Sequence, residues 1–173
     1  FGNADTLATS YSILSAASTQ DKYDMIFCGK ESLDGATGQM GAQLAQRFEA
    51  AQVTGTLLIK EVNEEAKTAV VERELEDGVE TLEVQLPCLF TMEKTNYPAR
   101  IPNLKGKLAA KKAVITTITA DDIPGLDRGR IGDPGSPTKV PRMFPPVMPE
   151  PGVIIDEGSV EASVAKLMQL IKD

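Results

Sequence analysis

Residues 23–41 read YDMIFCGKESLDGATGQMG, and this stretch is the most informative part of the chain. It begins with a short apolar run, Met25 to Cys28, followed by Gly29 and then by a small-residue turn that leads into helical spacing. α/β proteins use a strand, a turn and a helix in this order to present the N–H groups of a helix N-terminus to an anion. The stretch therefore predicts an α/β protein with a nucleotide or flavin site between the strand and the helix.

The glycines of the turn recur at every third position, Gly35, Gly38 and Gly41. This spacing meets neither the dinucleotide fingerprint G-x-G-x-x-G nor the phosphate-binding pattern G-x-x-x-x-G-K-[ST]. Thr37 offers a hydroxyl, Gln39 an amide and Asp34 a carboxylate to a bound nucleotide. A purely structural interpretation fits equally well, since glycines permit a tight turn and Asp34 can cap a helix.

A second candidate anion site lies at Thr6 and Thr9, near the start of a helix predicted over residues 5–19. The two hydroxyls are three residues apart, so they share a helix face where they can meet a phosphate. Threonine at a helix start is more often only a cap, and Asn3 or Asp5 is also available to cap this helix.

The rest of the chain predicts an α/β fold with a mostly parallel sheet flanked by helices, a Rossmann-like three-layer arrangement. Periodicity predicts further helices over 39–51 and 104–112, and strands over 23–28, 53–62, 89–92 and 113–119. Alternating residues on both sides of the turn Glu76-Asp77-Gly78 predict an antiparallel ribbon over 66–86.

From Asp121 onward proline and glycine are frequent, which disfavours helix and strand interiors and predicts an extended arm over 121–158. Apolar spacing then predicts an amphipathic helix over 159–172. We therefore expect a nucleotide-binding α/β domain over 1–120, the arm, and the C-terminal helix. The arm either embraces another chain or lets the helix pack on its own domain, and the sequence favours neither.

Composition excludes several classes of function. The net charge of −7 and an aromatic content of 5% disfavour nucleic-acid binding. The absence of histidine removes the usual base of a hydrolytic triad and the commonest nitrogen ligand of zinc. Cys28 and Cys88 lie far apart in apolar runs, as is typical of reduced thiols in a cytoplasmic protein, and no apolar run is long enough to span a membrane.

A candidate docking element comprises Ile101, Pro102, Asn103 and Leu104, an apolar tip followed by the basic segment 105–112. Lysines steer encounter with a partner while an apolar residue anchors it. The alternative is a solvated basic helix without a partner.

Together, four segments resemble the β subunit of electron transfer flavoproteins: residues 23–41, the ribbon with Val71 to Leu75 and Leu86-Pro87, the Ile101-Pro102-Asn103 loop, and Gly135-Ser136-Pro137-Thr138-Lys139-Val140. The resemblance runs from the first residues to the C-terminal helix. It implies a heterodimer whose α subunit carries FAD, while the β subunit holds either a structural AMP or, in the electron-bifurcating branch, a second FAD.

The resemblance also implies which residues bind the cofactor: Gly29, Leu33, Asp34, Gly35, Ala36, Thr37, Gly38, Gln39, Met40 and Gly41, with Thr6 and Thr9 near the flavin diphosphate. Gly29, Asp34, Thr37, Gln39 and Gly41, together with the Gly-Ser-Pro-Thr run at 135–138, resemble the bifurcating branch, whose flavin accepts a hydride from NADH. Departures from the family pattern are Leu33, Met40 and Ala42.

The resemblance further implies that the loop carrying Ile101 docks onto a flavin-dependent dehydrogenase, although Asn96 replaces the usual arginine before Tyr97. Family members begin with about two more β-α units, which contain part of the nucleotide site. We therefore expect the 173-residue piece to bind flavin poorly by itself.

Two further hypotheses remain open at this point. One is a non-redox scaffold subunit that holds AMP and presents the Ile101 loop to dehydrogenases. The other, more remote, is a nucleotide-binding stress-type α/β protein, against which the ribbon and the proline-rich arm argue.

Overall fold

The computed structural model describes residues 2–94, 97–149 and 151–172. The elements of these ranges are α1 Thr6–Ala17, β1 Met25–Gly29, α2 Met40–Arg47, β2 Ala51–Asn63, β3 Thr68–Leu75, β4 Gly78–Gln85, β5 Cys88–Met92, α3 Leu104–Lys112, a 3₁₀ turn Arg128–Arg130 and α4 Val160–Lys172. They fall into two compact units, one within residues 1–139 and one within residues 140–173.

The described strands form one five-stranded sheet in the order β1-β5-β2-β3-β4. Its first three strands are parallel, with Met25 and Ala51 both opposite Cys88, whereas β3 and β4 are antiparallel additions. The predicted α/β class, with a parallel core, an antiparallel ribbon and a C-terminal helix, is confirmed.

The long strand β2 joins the parallel core to the ribbon. Its start pairs with β5 and its later residues pair with β3, and the register shifts between Val53 and Thr56. Gly55 at this irregularity has a φ of +68°, and a Cβ there would lie 2.9 Å from the carbonyl oxygen of Glu74. Only glycine accepts this conformation without strain, so Gly55 lets one strand serve both halves of the sheet.

The strand β5 lies in the middle of the three parallel strands and is buried on both faces, as is typical of a parallel core strand. On one face Cys88 and Phe90 pack in a cluster with Val53, Val71 and Leu86. On the other face Leu89 packs against Leu44 and Ala45 of α2. The residues Leu44 and Ala45 therefore attach α2 to the sheet directly above β5.

Three local predictions differ from the structure. The helix predicted over 39–51 ends at Arg47, because Glu49 adopts a φ of +53° and β2 begins at Ala51. The strand predicted over 113–119 is wrong: this segment is irregular and has no neighbouring strand among the described residues to satisfy its backbone. Leu7, Tyr11 and Leu14 are spaced at i, i+4 and i+7, which predicts that they form the apolar face of α1, but the buried residues of α1 are Ala8 and Ser10.

The unit of residues 140–173 consists of an extended segment and α4, whose start is capped by the Ser159 hydroxyl accepting from the Ala162 N–H at 3.2 Å. The apolar side chains of α4 are all at least partly exposed. The predicted three-part division of the chain stays a prediction. None of the helices in the described ranges has the length and apolarity to cross a membrane.

Candidate functional site

The loop of residues 30–39 follows β1 at the end where the parallel strands present their carboxyl termini, and all of its residues are exposed. Leu33 is fully exposed. The loop is held at its beginning by an ion pair of 2.8 Å between the Lys30 Nζ and the Glu93 Oε1, which follows β5. The hydrogen bond to Glu93 raises the pKa of the Lys30 ammonium group. The start of the loop is therefore tied to the neighbouring strand, and the rest faces solvent.

Within the loop, Asp34 organises a tight turn. Its carboxylate accepts hydrogen bonds from the Ser32 hydroxyl and from the Gly35 N–H, and these bonds lower the pKa of Asp34. The next residues take left-handed conformations, with a φ of +47° at Ala36 and +62° at Gly38. A non-glycine residue in this region is uncommon and marks a backbone whose shape is strongly determined.

The N-terminus of α2 lies beside the start of α1. Gln39 is the N-cap residue of α2, but its side chain makes no capping hydrogen bond. Instead its Oε1 accepts from the Thr6 Oγ1 at 3.1 Å, and the same hydroxyl accepts from the Gln43 Nε2 at 3.2 Å. The Gln43 Oε1 is buried and has no partner among the described residues.

Thr6 therefore lies beside Gln39, at the end of the loop. Thr9, one turn further along α1, makes no side-chain hydrogen bond to the loop within the described ranges. That Thr6 or Thr9 contacts a cofactor stays a prediction.

Two glycines of the predicted site have different surroundings. A Cβ on Gly41 would overlap the Thr91 Cγ2 and lie 3.5 Å from the Leu89 Cδ2, so Gly41 allows α2 to approach β5 closely. A Cβ on Gly29 would meet no described atom within 4 Å. Gly41 therefore has a packing role, while the space beside Gly29 is open to a ligand.

The start of α1 is attached to residues 136–138 by Asp5. Its Oδ1 caps α1 by accepting from the Ala8 N–H at 3.0 Å, and its Oδ2 accepts from the Thr138 N–H and hydroxyl at 3.2 and 2.8 Å. The Asp5 N–H donates to the Ser136 Oγ at 2.8 Å, and Ser136 is only 3% exposed. The Ala8 hydrogen bond is the largest of the effects that lower the pKa of Asp5.

The sequence offered Asn3 or Asp5 as the cap of this helix, and the structure shows that Asp5 caps it. The sequence did not predict the contacts of Asp5 with residues more than 130 positions away. The only signal in the sequence is the Gly-Ser-Pro-Thr run itself.

The candidate docking element projects from the fold. Ile101 is 86% exposed and Leu104 is 73% exposed. Asn103 has a structural task, since its Oδ1 accepts from the Gly106 N–H at 2.8 Å and caps α3. No residue of α3 is buried, and its lysines form no ion pair within the described part of the chain. Asn96 lies outside the described residues.

Comparisons with known proteins agree with this architecture. A family model described as the electron transfer flavoprotein domain matches residues 1–123. An electron transfer flavoprotein subunit beta of Thermoanaerobacterium thermosaccharolyticum is 38% identical over 98% of this chain and 63% of its own length. The caffeyl-CoA reductase-Etf complex subunit CarD of Acetobacterium woodii is 36% identical over 100% of this chain and 64% of its own length.

A third relative is the acryloyl-CoA reductase electron transfer subunit gamma of Anaerotignum propionicum, 37% identical over 98% of this chain and 66% of its own length. The chain therefore spans slightly less than two thirds of the length of these curated relatives.

Proposed function

Because this chain belongs to the β-subunit family of electron transfer flavoproteins, we propose that it binds the adenine nucleotide part of FAD and serves in electron transfer. In this proposal it works as a heterodimer with an α subunit and passes electrons between NADH or a flavin-dependent dehydrogenase and their acceptors. The nucleotide lies along residues 29–41, beside Thr6. A cytoplasmic location stays a prediction from the unpaired cysteines.

The observation that carries the proposal is the polar group between α1 and the start of α2. The N-cap Gln39 leaves the first N–H groups of α2 without a side-chain cap, and such groups attract phosphate oxygens. Gln43 lies in the first turns of α2, and its Oε1 is buried and has no hydrogen-bond partner among the described residues. A buried carbonyl oxygen is costly unless it accepts a hydrogen bond, and a nucleotide hydroxyl or amino group supplies one.

The space around Gly29 fits the same ligand. The absence of any described atom within 4 Å of a Cβ at Gly29 leaves the backbone open to close approach. The exposed loop of residues 30–39 follows directly, with its shape held by the Asp34 turn. These residues therefore fit an adenine nucleotide, and they would bind and orient it.

A bound flavin supplies the redox chemistry, accepting a hydride from NADH and releasing electrons singly if the protein belongs to the bifurcating branch. The task of the chain is to hold that group and to present it to partners. Two relatives are named for caffeyl-CoA reductase and acryloyl-CoA reductase complexes, which supports a flavin-dependent dehydrogenase as the partner.

The second candidate is a scaffold subunit that holds AMP. The exposed tip at Ile101 and Leu104 favours a docking role that needs no redox group in this chain. AMP shares its adenosine phosphate with FAD, so the residues around Gln39 fit both.

The two candidates differ in what the native assembly contains. We expect denaturation of the purified, intact complex to release two FAD per heterodimer if this subunit is redox-active, and one FAD with one AMP if it is a scaffold. Release of no adenine nucleotide beyond the α-subunit FAD would overturn both.

The location of the nucleotide is tested by a matched pair of glycine variants. Gly29→Ala introduces a methyl into the proposed ligand space, so the nucleotide content of the purified complex should fall while its thermal midpoint without nucleotide stays unchanged. Gly78→Ala is the control, because a Cβ there also meets no described atom within 4 Å. Equal nucleotide content in both variants would contradict the assignment of residues 29–41.

Docking is tested with a second pair. Ile101→Ala removes most of an exposed apolar side chain at the tip, and it should slow electron exchange with the dehydrogenase without changing nucleotide content. Val114→Ala is the control, since Val114 is also largely exposed and lies outside the tip. A loss of the same size in both variants would contradict a specific role of the tip.

A further inference from the structure

A concave site separate from the proposed nucleotide segment lies between α1, the end of α2 and residues 129–137. The cavity has a volume of about 310 Å³. Leu7, Pro134 and Pro137 form apolar parts of its wall, and Arg47 and Arg130 bring two positive charges to it. None of its lining residues belongs to the 29–41 segment.

The two guanidinium groups share one aromatic ring. The Arg130 Cζ lies 4.1 Å from the centre of the Tyr11 ring, and the Arg47 Cζ lies 5.7 Å from it. Arg47 is fixed further by two hydrogen bonds, from its Nε to the Ser10 Oγ at 2.9 Å and from its Nη2 to the Leu7 carbonyl oxygen at 3.2 Å. Both side chains are therefore oriented before any ligand arrives.

Neither arginine has a carboxylate partner within the described ranges. The acidic residues that lie close in sequence to Arg130 are engaged elsewhere. Asp121 pairs with Arg128, Asp133 pairs with Lys139, and Asp127 accepts from the Gly129 N–H. Two cations that line one cavity, with no carboxylate paired to them among the described residues, favour the binding of an anion there.

We propose that this cavity binds the phosphate group of a small phosphorylated ligand, held between Arg47 and Arg130. Guanidinium groups bind phosphate through two parallel N–H···O bonds, and Arg47 keeps donors that its two described hydrogen bonds do not use. A cavity near 310 Å³ is at the lower end of small-ligand pockets, so the ligand is compact. This site goes beyond the proposed function, because it uses no residue of the nucleotide segment.

A phosphate bound in this cavity would also affect how residues 129–138 are attached to α1. The cavity is lined by both α1 and the segment that Asp5 holds through Ser136 and Thr138. An anion bound to Arg47 on one side and Arg130 on the other would strengthen this attachment, so binding should also raise thermal stability.

The experiment is a titration of the intact complex with inorganic phosphate, followed by calorimetry at constant ionic strength with chloride as the balancing anion. Arg130→Gln should weaken phosphate binding by about tenfold or more, since one charge-assisted contact is lost. Arg130→Lys keeps the charge but not the planar fork, and it should give an intermediate loss. Arg142→Gln is the matched control, because Arg142 also lies over an aromatic ring, 5.6 Å from the centre of Phe144.

Nucleotide released on denaturation is measured for each variant and should be unchanged. Unaltered phosphate affinity in Arg130→Gln would overturn the proposal, as would an equal loss in Arg142→Gln. Absence of phosphate binding in the intact complex would also overturn it.

Discussion

Gly41→Ala separates a packing role of this glycine from a cofactor-binding role. Gly41 lies in the first turn of α2, above the buried residue Thr91 of β5. A methyl group at Gly41 would overlap the Thr91 Cγ2 and would lie 3.5 Å from the Leu89 Cδ2. The helix and the strand are both held by the core around Leu89, so they cannot separate freely.

The expected magnitude follows from two opposing effects. Overpacking a core typically costs about 1–3 kcal/mol. Replacing glycine by alanine in a helix increases the free energy of unfolding by at most about 1 kcal/mol through helix propensity, and by less in a first turn. We therefore expect a net loss of about 1–2 kcal/mol, which lowers the thermal midpoint by roughly 2–8 °C for a protein of this size.

Thr91→Ser is the compensating change. It removes the overlapping methyl group but keeps the hydroxyl oxygen that accepts from the Gly55 N–H at 3.2 Å. In the Gly41→Ala/Thr91→Ser protein one methyl group replaces the other, so the midpoint should return close to that of the unchanged protein. The coupling between the two substitutions should be about 1–3 kcal/mol.

Thermal unfolding and nucleotide content of the intact complex are measured for both single variants and the double variant. Additive losses would refute the packing explanation. A double variant that regains stability but not its nucleotide would instead show that Gly41 contacts the ligand.

Three further predictions concern the start of α1 and the thiols. Ser136→Ala should lower the free energy of unfolding, measured with urea, by about 1–3 kcal/mol, because the Asp5 N–H and the Gly132 carbonyl lose their buried partner; a change near zero would contradict this. The pKa of Asp5 is lower in the folded protein than its usual value of 3.8, so the ionised carboxylate stabilises the fold above pH 3.8, and this stabilisation is lost as the pH falls through the folded-state pKa. The thermal midpoints of Asp5→Asn and of the unchanged protein should therefore differ at neutral pH and converge in acid. A difference that stays constant with pH would count against the assignment. Burial raises the pKa of Cys88 to about 11, so iodoacetamide should label Cys88 only after denaturation. Because Cys28 is also a free thiol and is only partly buried, the labelled residue is identified by peptide mass spectrometry, and labelling of Cys88 in the native protein would disprove its burial.

The order and type of most elements were predictable, because hydrophobic spacing is a local property. The apolar run around Phe27 predicted a parallel strand, and the segment Leu104–Lys112 matches the predicted helix at both ends. The prediction failed over 113–119, where β-branched residues favour a strand but no neighbouring strand is present in the described part of the chain. Propensity describes what a residue tolerates, while a strand also needs a partner.

The sequence proposes residues 29–41 as the nucleotide segment, but it does not show which of them pack the fold and which face open space. Gly29 and Gly41 look alike in the sequence, yet only the docking of α2 on β5 gives Gly41 a packing role. The structure likewise shows what the sequence left open for Asp34: its carboxylate accepts hydrogen bonds from Ser32 and Gly35 within its own turn.

Local spacing and the order of the motifs are sufficient to predict the α/β class and the family, and to propose residues 29–41 as the nucleotide segment. The contact of Asp5 with Ser136 and the shared cavity of Arg47 and Arg130 exist only in the folded chain. These contacts join residues far apart in the chain, and they depend on how α1 and α2 pack and where residues 129–138 lie. The periodicity of the sequence does not predict these contacts, because they depend on how side chains from the whole core pack together.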